Sequence, residues 1–171
     1  MKKILLSFLV IIISGILGAC SNDTNSSQEI ISNYPETIKQ ELEELPEDFR
    51  KSLVVPSKLP KSYSVINFSY TSEPMNDPTG NIINTTFIYE GENTGYHLVL
   101  NTMYGDVDFA NEKRGKTVTL DNGIKAKVID EYAIRWVDEN ENHQELSFIV
   151  PDLNEAKVTK DDLVEVANSM K

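Results

Sequence analysis

The residues whose spacing is most suggestive of chemistry are Asp138, Asn140 and Asn142. Their alternate side-chain oxygens match the first three ligand positions of a calcium loop, where such oxygens converge on one hard cation. The remainder of that pattern is missing, because His143 stands where glycine should make the turn and Ile149 where a bidentate glutamate should close the site. We therefore interpret this segment as a solvated turn between two strands and predict no metal or other cofactor.

The other side chains that commonly perform catalysis are scattered. His97 and His143 are the only histidines, and neither has a carboxylate at the spacing of a zinc hydrolase motif. His97 alternates with apolar neighbours, which predicts a surface or cross-strand residue. The acidic stretches Glu41 to Glu47 and Asp106 to Glu112 are interpreted as solvated faces. No nucleophile elbow, phosphate loop or dinucleotide motif is present, so we predict that the chain is not an enzyme.

The net charge of the chain excludes some classes of binding partner. The 171 residues include 27 acidic and 16 basic ones, a formal net charge of −11. A surface of this sign is repelled by nucleic acid and by anionic lipid headgroups. We therefore predict no nucleic-acid partner and no attachment to a membrane through a basic patch.

The N-terminal residues predict another kind of membrane attachment. Lys2 and Lys3 precede an apolar segment, residues 4–17, that is shorter than the roughly 20 residues of a membrane-spanning helix. The sequence Leu-Gly-Ala-Cys that follows, ending at Cys20, resembles the lipobox of bacterial lipoproteins. That resemblance implies a diacylglycerol on Cys20, cleavage in front of it, and a location on the extracytoplasmic face of the cell membrane. Two acyl chains give stable attachment.

The same residues define the domain organisation. Residues 1–19 are predicted to be a cleaved signal peptide, and residues 20–34 a lipidated cysteine followed by a flexible tether of small polar residues. Residues 35–171 are enough for one domain with a proper core. Because Cys20 is the only cysteine, acylation would leave this domain without a thiol for a disulfide or a thiolate metal site.

Helices are predicted at both ends of that domain. Apolar residues recur at helical spacing in the first part of it: Ile38, Leu42, Leu45, Phe49 and Leu53. Pro46 divides them into two short helices, 35–45 and 46–54, and is expected to be the first residue of the second. A final helix is predicted after Thr159, which can cap it, with acidic residues in its first turn.

Between the helices the apolar period changes to two. Seven segments rich in β-branched and aromatic residues predict strands: 62–71, 82–90, 96–104, 116–120, 124–130, 132–138 and 144–150. Asn122-Gly123 predicts a two-residue type I′ hairpin, since that turn needs positive φ at both positions. The expected fold class is α+β, with an antiparallel β-meander sheet, short N-terminal helices and a C-terminal helix packed on the sheet.

Both faces of the predicted sheet carry apolar residues. Val99 and Met103 lie on the face opposite Leu98 and Leu100, and Ile82 and Ile88 likewise lie opposite Phe87 and Tyr89, among other residues. One face must receive the helices. The other face forms either a shallow groove for a peptide or lipid or the floor beneath a long loop, and we favour the loop.

The order of these elements resembles an uncharacterised domain that occurs in Gram-positive lipoproteins and in the outer parts of anti-sigma-factor-like membrane proteins. The likeness covers about residues 55–171. Its features here are Pro56, Leu59-Pro60, Tyr63, the strand Ile134-Arg135-Trp136 and the final helix with Ala167-Asn168-Ser169-Met170. Ser62 stands where that family commonly has glycine, and the family has no catalytic motif to carry over. A more distant likeness is to half-barrel carriers of lipoproteins or lipids.

Location and the absence of a catalytic motif together predict a non-enzymatic, membrane-anchored surface lipoprotein. Its domain would bind an envelope protein, a peptide or a lipid, as a sensor or accessory module. Two alternatives remain open at this point: a half-barrel carrier of lipid or lipoprotein, and an envelope hydrolase with dispersed catalytic residues.

Overall fold

Seven antiparallel strands form one sheet in the computed structural model of the chain, which describes residues 27–60, 62–92, 94–105, 115–151 and 158–171. The strands are β1 (Tyr63–Glu73), β2 (Asn81–Gly91), β3 (His97–Met103), β4 (Lys116–Thr119), β5 (Lys125–Ile129), β6 (Ala133–Val137) and β7 (His143–Ile149). Each predicted strand segment matches one of them, with ends that differ by at most two residues. The α+β fold class is confirmed.

Some predicted features lie outside the described residues. These are the signal peptide 1–19, Cys20, the first part of the tether and the acidic stretch Asp106 to Glu112.

The strands are ordered β1-β2-β3-β7-β6-β5-β4 across the sheet. The sheet therefore consists of two meanders, and the last strand of each, β3 and β7, pair with one another along their whole length. The chain leaves β3 in the middle of the sheet and re-enters it at the far edge as β4. As a result β1 and β4 form the two edges.

The Asn122-Gly123 hairpin pairs the predicted strands, but the predicted turn type is wrong. Positive φ occurs at Gly123 (87°) and not at Asn122. The Leu120 amide donates to the Ile124 carbonyl and the Gly123 amide to the Leu120 carbonyl, both at 2.8 Å. A type I turn followed by a left-handed glycine gives this three-residue loop, in which only the glycine needs positive φ.

The core lies on one face of the sheet, which we call the inner face. Phe87, Leu100, Leu146 and Ile134 form a row across β2, β3, β7 and β6, and each is at most 1% exposed. They belong to one apolar cluster with helix residues that include Leu42 and Leu163. The helices can cover this row because alternate residues of a strand share one face of the sheet, and the apolar residues here recur with a period of two.

The helices are α1 (Ser27–Ser32), α2 (Glu36–Glu43), α3 (Glu47–Ser52) and α4 (Lys160–Asn168). α2 lies against β1, and α4 lies against β6 and β7. The two predicted N-terminal helices are confirmed as α2 and α3, although Pro46 is the N-cap of α3 rather than its first residue. None of the helices in the described part of the chain is long and apolar enough to cross a bilayer.

The predicted tether is wrong from residue 27 onward, because Ser27–Ser32 is helical. Ser27 is buried, and Ile30 and Ile31 pack against the core. The Tyr34 hydroxyl lies 3.1 Å from that of Tyr89 on the inner face. The apolar residues after Glu29 thus supply enough buried surface to fold a segment that begins as a polar run.

The last helix begins as predicted. The Thr159 hydroxyl accepts from the Asp162 amide while the Asp162 carboxylate accepts from the Thr159 amide, which completes a capping box. Beyond the helix, the amide and carbonyl of Lys171 bond to those of Val55, both at 3.1 Å. This pairing fastens the connector between α3 and β1 to the end of α4.

Candidate binding face

The face of the sheet opposite the core, here called the outer face, carries a mainly apolar row in which Ser147 is the one polar residue. The register aligns five residues across β2, β3, β7, β6 and β5: Ile88, Val99, Ser147, Ala133 and Ile129. We call these residues the outer row. Val99 and Ile129 are 8% and 7% exposed, yet neither belongs to the core cluster. The outer row is therefore a second apolar patch, separated from the core by the sheet itself.

The predicted division of residues between the two faces is confirmed for Val99 and Ile88 and is wrong for Ile82. The register of β1 and β2 shifts between Thr71 and Ser72, where Asn84 and then Ile82 are the partners and Ile83 is passed over. This bulge reverses the alternation, so Ile82 is buried in the core. Period-two reasoning fails here because a bulge adds one residue to one strand.

Polar pairs border the outer row. Arg135 and Glu145 face each other across β6 and β7 and form an ion pair at 2.5 Å, with side chains 28% and 20% exposed. Across β2 and β3 the Thr86 hydroxyl donates to the Asn101 side-chain oxygen at 2.7 Å. Cross-strand pairs of this kind contribute roughly 0.2–1 kcal/mol each and hold the face in one arrangement. The outer face is accordingly ordered, with a small apolar centre and a polar border.

His97 is a cross-strand residue, as predicted. It lies opposite Glu90, and its Nε2 is 3.7 Å from the Glu90 carboxylate. His143 is half-buried at the other end of the β3–β7 pair, where it faces Met103. The two histidines are thus six residues apart along paired strands, or about 20 Å. In the described ranges, no three His, Cys, Asp or Glu side chains come together as a metal site.

The segment around Asp138 is the β6–β7 hairpin loop, as predicted. One carboxylate oxygen of Asp138 accepts from the Asn140 and Asn142 amides, both at 2.9 Å. The other accepts from the side-chain amides of Gln144, at 2.8 Å, and Asn142, at 3.3 Å. Gln144 is fully buried and also accepts from the Thr102 hydroxyl at 2.7 Å. The Asp138 carboxylate therefore organises its own loop and satisfies a buried glutamine.

Three tyrosines place their hydroxyl groups within or beside the apolar core. The sequence pattern did not predict this. Burial raises the pKa of Tyr34 and of Tyr104 to about 12, and it raises the pKa of Tyr89 well above its ordinary value. Tyr104 shares a hydrogen bond with the Thr85 hydroxyl at 3.0 Å. These phenols keep their protons near neutral pH, so they serve as packed hydrogen-bonding groups rather than as bases.

Three clefts lined by described residues are open to solvent, and the walls of two of them are mainly polar while those of the third are mainly apolar. The largest of three, about 460 Å³, follows the edge strand β4 and is lined by residues that include Lys116, Asp130 and Lys160. The other two lie along α4 and the connector before β1. Neither histidine lines any of the three. The acidic stretch Glu41 to Glu47 exposes all its carboxylates to solvent, as predicted.

No family model matches the sequence, and no curated protein or solved structure is significantly similar to it. The resemblance to the lipoprotein domain therefore stays a prediction.

Proposed function

We propose that this chain is a lipid-anchored binding module on the extracytoplasmic face of a cell membrane, with the outer face of its sheet as the binding surface. The observation that carries the proposal is the outer row. It places apolar residues on the side of the sheet opposite the core, where Ile88 and Ala133 are partly exposed and the border is polar and ordered. Apolar centres with polar borders are the usual composition of protein-binding surfaces.

The lipid anchor is proposed from the sequence that ends at Cys20, the chain's one cysteine. The described part of the chain begins with helix α1 at Ser27, seven residues later. Seven extended residues span at most about 25 Å, so an anchor at Cys20 would keep the body close to the lipid surface. This reach is shorter than a tether lasting to residue 34 would give.

The two alternative functions receive less support. A carrier of lipid or lipoprotein needs an apolar cavity, whereas the inner face is filled by close-packed side chains such as Phe87, Leu100 and Leu146. A hydrolase needs a nucleophile, a base and an oxyanion site in one cleft. His97 and Glu90 instead face each other on strands of the open sheet, away from the three clefts.

The anchor is tested by replacing Cys20 with serine in the full chain expressed in a bacterium that processes lipoproteins. We expect the wild-type protein to lack residues 1–19 and to carry the added mass of diacylglycerol, and Cys20→Ser to lose that added mass completely. Intact-mass analysis and partition into detergent measure both properties. Ser21→Ala, next to the acylation site, is the control and should be lipidated normally. An unmodified Cys20 in the wild-type protein would contradict the anchor.

The binding face is tested by native mass spectrometry of the lipidated protein purified gently from its own membrane. We expect a retained peptide, protein or lipid, and we expect Ser147→Lys to lose it, because a charge in the middle of the outer row opposes apolar contact. Thr119→Lys, at an exposed position of edge strand β4, is the matched control and should retain the ligand. Equal retention by both variants, or no ligand on the wild-type protein, would count against this face.

A further inference from the structure

The two edges of the sheet differ in how they are protected. An exposed edge strand presents unpaired backbone amides and carbonyls, and proteins usually guard it with charges, proline or short length. β4 is four residues long and begins with Lys116. β1 is eleven residues long, and it has neither a charge nor a proline between Tyr63 and Ser72. In the part of the chain that the structure describes, β1 pairs with β2 on one side, and no strand pairs with its other side.

Two bulges isolate a regular segment in the middle of β1. The register with β2 shifts between Val65 and Asn67 and again between Thr71 and Ser72. From Asn67 to Thr71 the pairing is unbroken, so these five residues form a regular stretch of the edge strand. Bulges disturb an edge only locally, and the segment between them keeps the geometry that another strand needs.

The sequence of that segment is nearly symmetric about Ser69. It reads Asn-Phe-Ser-Tyr-Thr, with polar residues at both ends and at the centre and one aromatic residue on each side. Asn67, Ser69 and Thr71 are exposed on the outer side, while Phe68 and Tyr70 point to the core side. A two-fold axis through Ser69 would therefore place like residues opposite like residues.

We propose that the β1 edge pairs antiparallel with β1 of a second copy of this chain, with the two-fold axis at Ser69. This register sets Phe68 against Tyr70 of the second copy, and Asn67 against its Thr71. Cross-strand aromatic pairs and hydrogen-bonding pairs both favour strand association. An isologous contact of this kind closes after two copies and leaves β4 as both edges of a fourteen-stranded sheet. The contact is independent of what the outer row binds.

Charge decides the strength of this contact. Each copy carries a net charge of −11, and Glu44 lies beside the segment, 3.5 Å from the Tyr70 hydroxyl. Repulsion between two such copies is screened over a Debye length of about 8 Å at physiological ionic strength. We therefore expect association to be weak at low salt and to strengthen as salt is added, unlike a contact made by opposite charges.

Cysteine cross-linking of the full chain tests both the contact and its register. Directly opposed residues of antiparallel strands have Cα atoms about 4.5–5.5 Å apart, within the roughly 4.4–6.8 Å that a disulfide spans. Ser69→Cys should form a disulfide dimer as the main product of mild oxidation. Ser64→Cys, an exposed serine of the same strand, would lie about 30 Å from its counterpart and should remain monomeric. The wild-type chain is the control for cross-linking through Cys20, which is its one cysteine.

Sedimentation supplies a second readout that needs no oxidation. The wild-type chain should shift from monomer to dimer as concentration and salt increase, and Ser69→Lys should remain monomeric because two lysines would face each other. Ser64→Lys should still dimerise. The proposal is overturned if Ser69→Cys fails to cross-link, if Ser64→Cys cross-links equally, or if the wild-type chain is monomeric throughout.

Discussion

Leu146→Ala is expected to lower the free energy of unfolding by about 2–5 kcal/mol, one of the two largest effects we predict. Leu146 is fully buried on β7, between Leu100 of β3 and Ile134 of β6. It therefore joins the two meanders at the only place where their strands pair in the described sheet. Truncation removes contacts on both sides at once, and neighbours held in a sheet cannot easily close the cavity.

Ile149→Ala is the matched control for this prediction. Ile149 belongs to the same strand and is a similar aliphatic residue, but it is 56% exposed on the outer face. We expect its replacement to change stability by no more than about 0.5 kcal/mol. Urea denaturation followed by tryptophan fluorescence reports both variants, because Trp136 lies on the neighbouring strand. Equal costs for the two variants would contradict the assignment of inner and outer faces.

The strands could be predicted because their alternation is regular. Residues such as Phe68, Tyr70 and Leu146 alternate with polar neighbours, and this period survives whichever strand lies beside them. Pairing order is different, because it depends on contacts between distant segments. Nothing in the spacing of β3 and β4 indicates that β3 pairs with β7, so the two meanders became apparent only in the structure.

Errors in the prediction arose where short-range rules compete with packing. The polar run before Ile30 was interpreted as a tether, yet Ile30, Ile31 and Tyr34 dock on the core and hold its last residues in a helix. Asn122 tolerates positive φ, but the loop also includes Asp121, and its three residues allow a type I turn in which Gly123 alone has positive φ. In both places the local pattern was compatible with two outcomes and tertiary context selected one.

The candidate face was partly predictable. Val99 and Ile88 were placed correctly because they lie in regular parts of their strands. The continuity of the outer row was not predictable, since Ser147, Ala133 and Ile129 come from three other strands whose register had to be known. Only part of the role of Asp138 could be predicted. The sequence predicts the turn, but the hydrogen bond from buried Gln144 to the Asp138 carboxylate depends on the register of β7.

The second large effect is expected at Gly115, which immediately precedes the edge strand β4. Gly115 has φ of +98°, and a Cβ there would lie 2.4 Å from the carbonyl oxygen of Val128 on β5. Gly115→Ala must therefore accept left-handed backbone strain and also displace a paired strand. Gly105 has nearly the same φ, +99°, but open space around it. Gly105→Ala should cost only the strain, about 1–2 kcal/mol.

We expect Gly115→Ala to cost about 1–3 kcal/mol more than Gly105→Ala, because backbone atoms give way less readily than flexible side chains. Urea denaturation measures the difference between the two variants. Hydrogen exchange at Lys116 and Val128 shows where it arises, since these residues pair in β4 and β5. Loss of protection confined to this pair would mean that β4 detaches alone and that the remaining sheet is stable without it. Equal costs for the two glycines would contradict the close approach of Gly115 to β5.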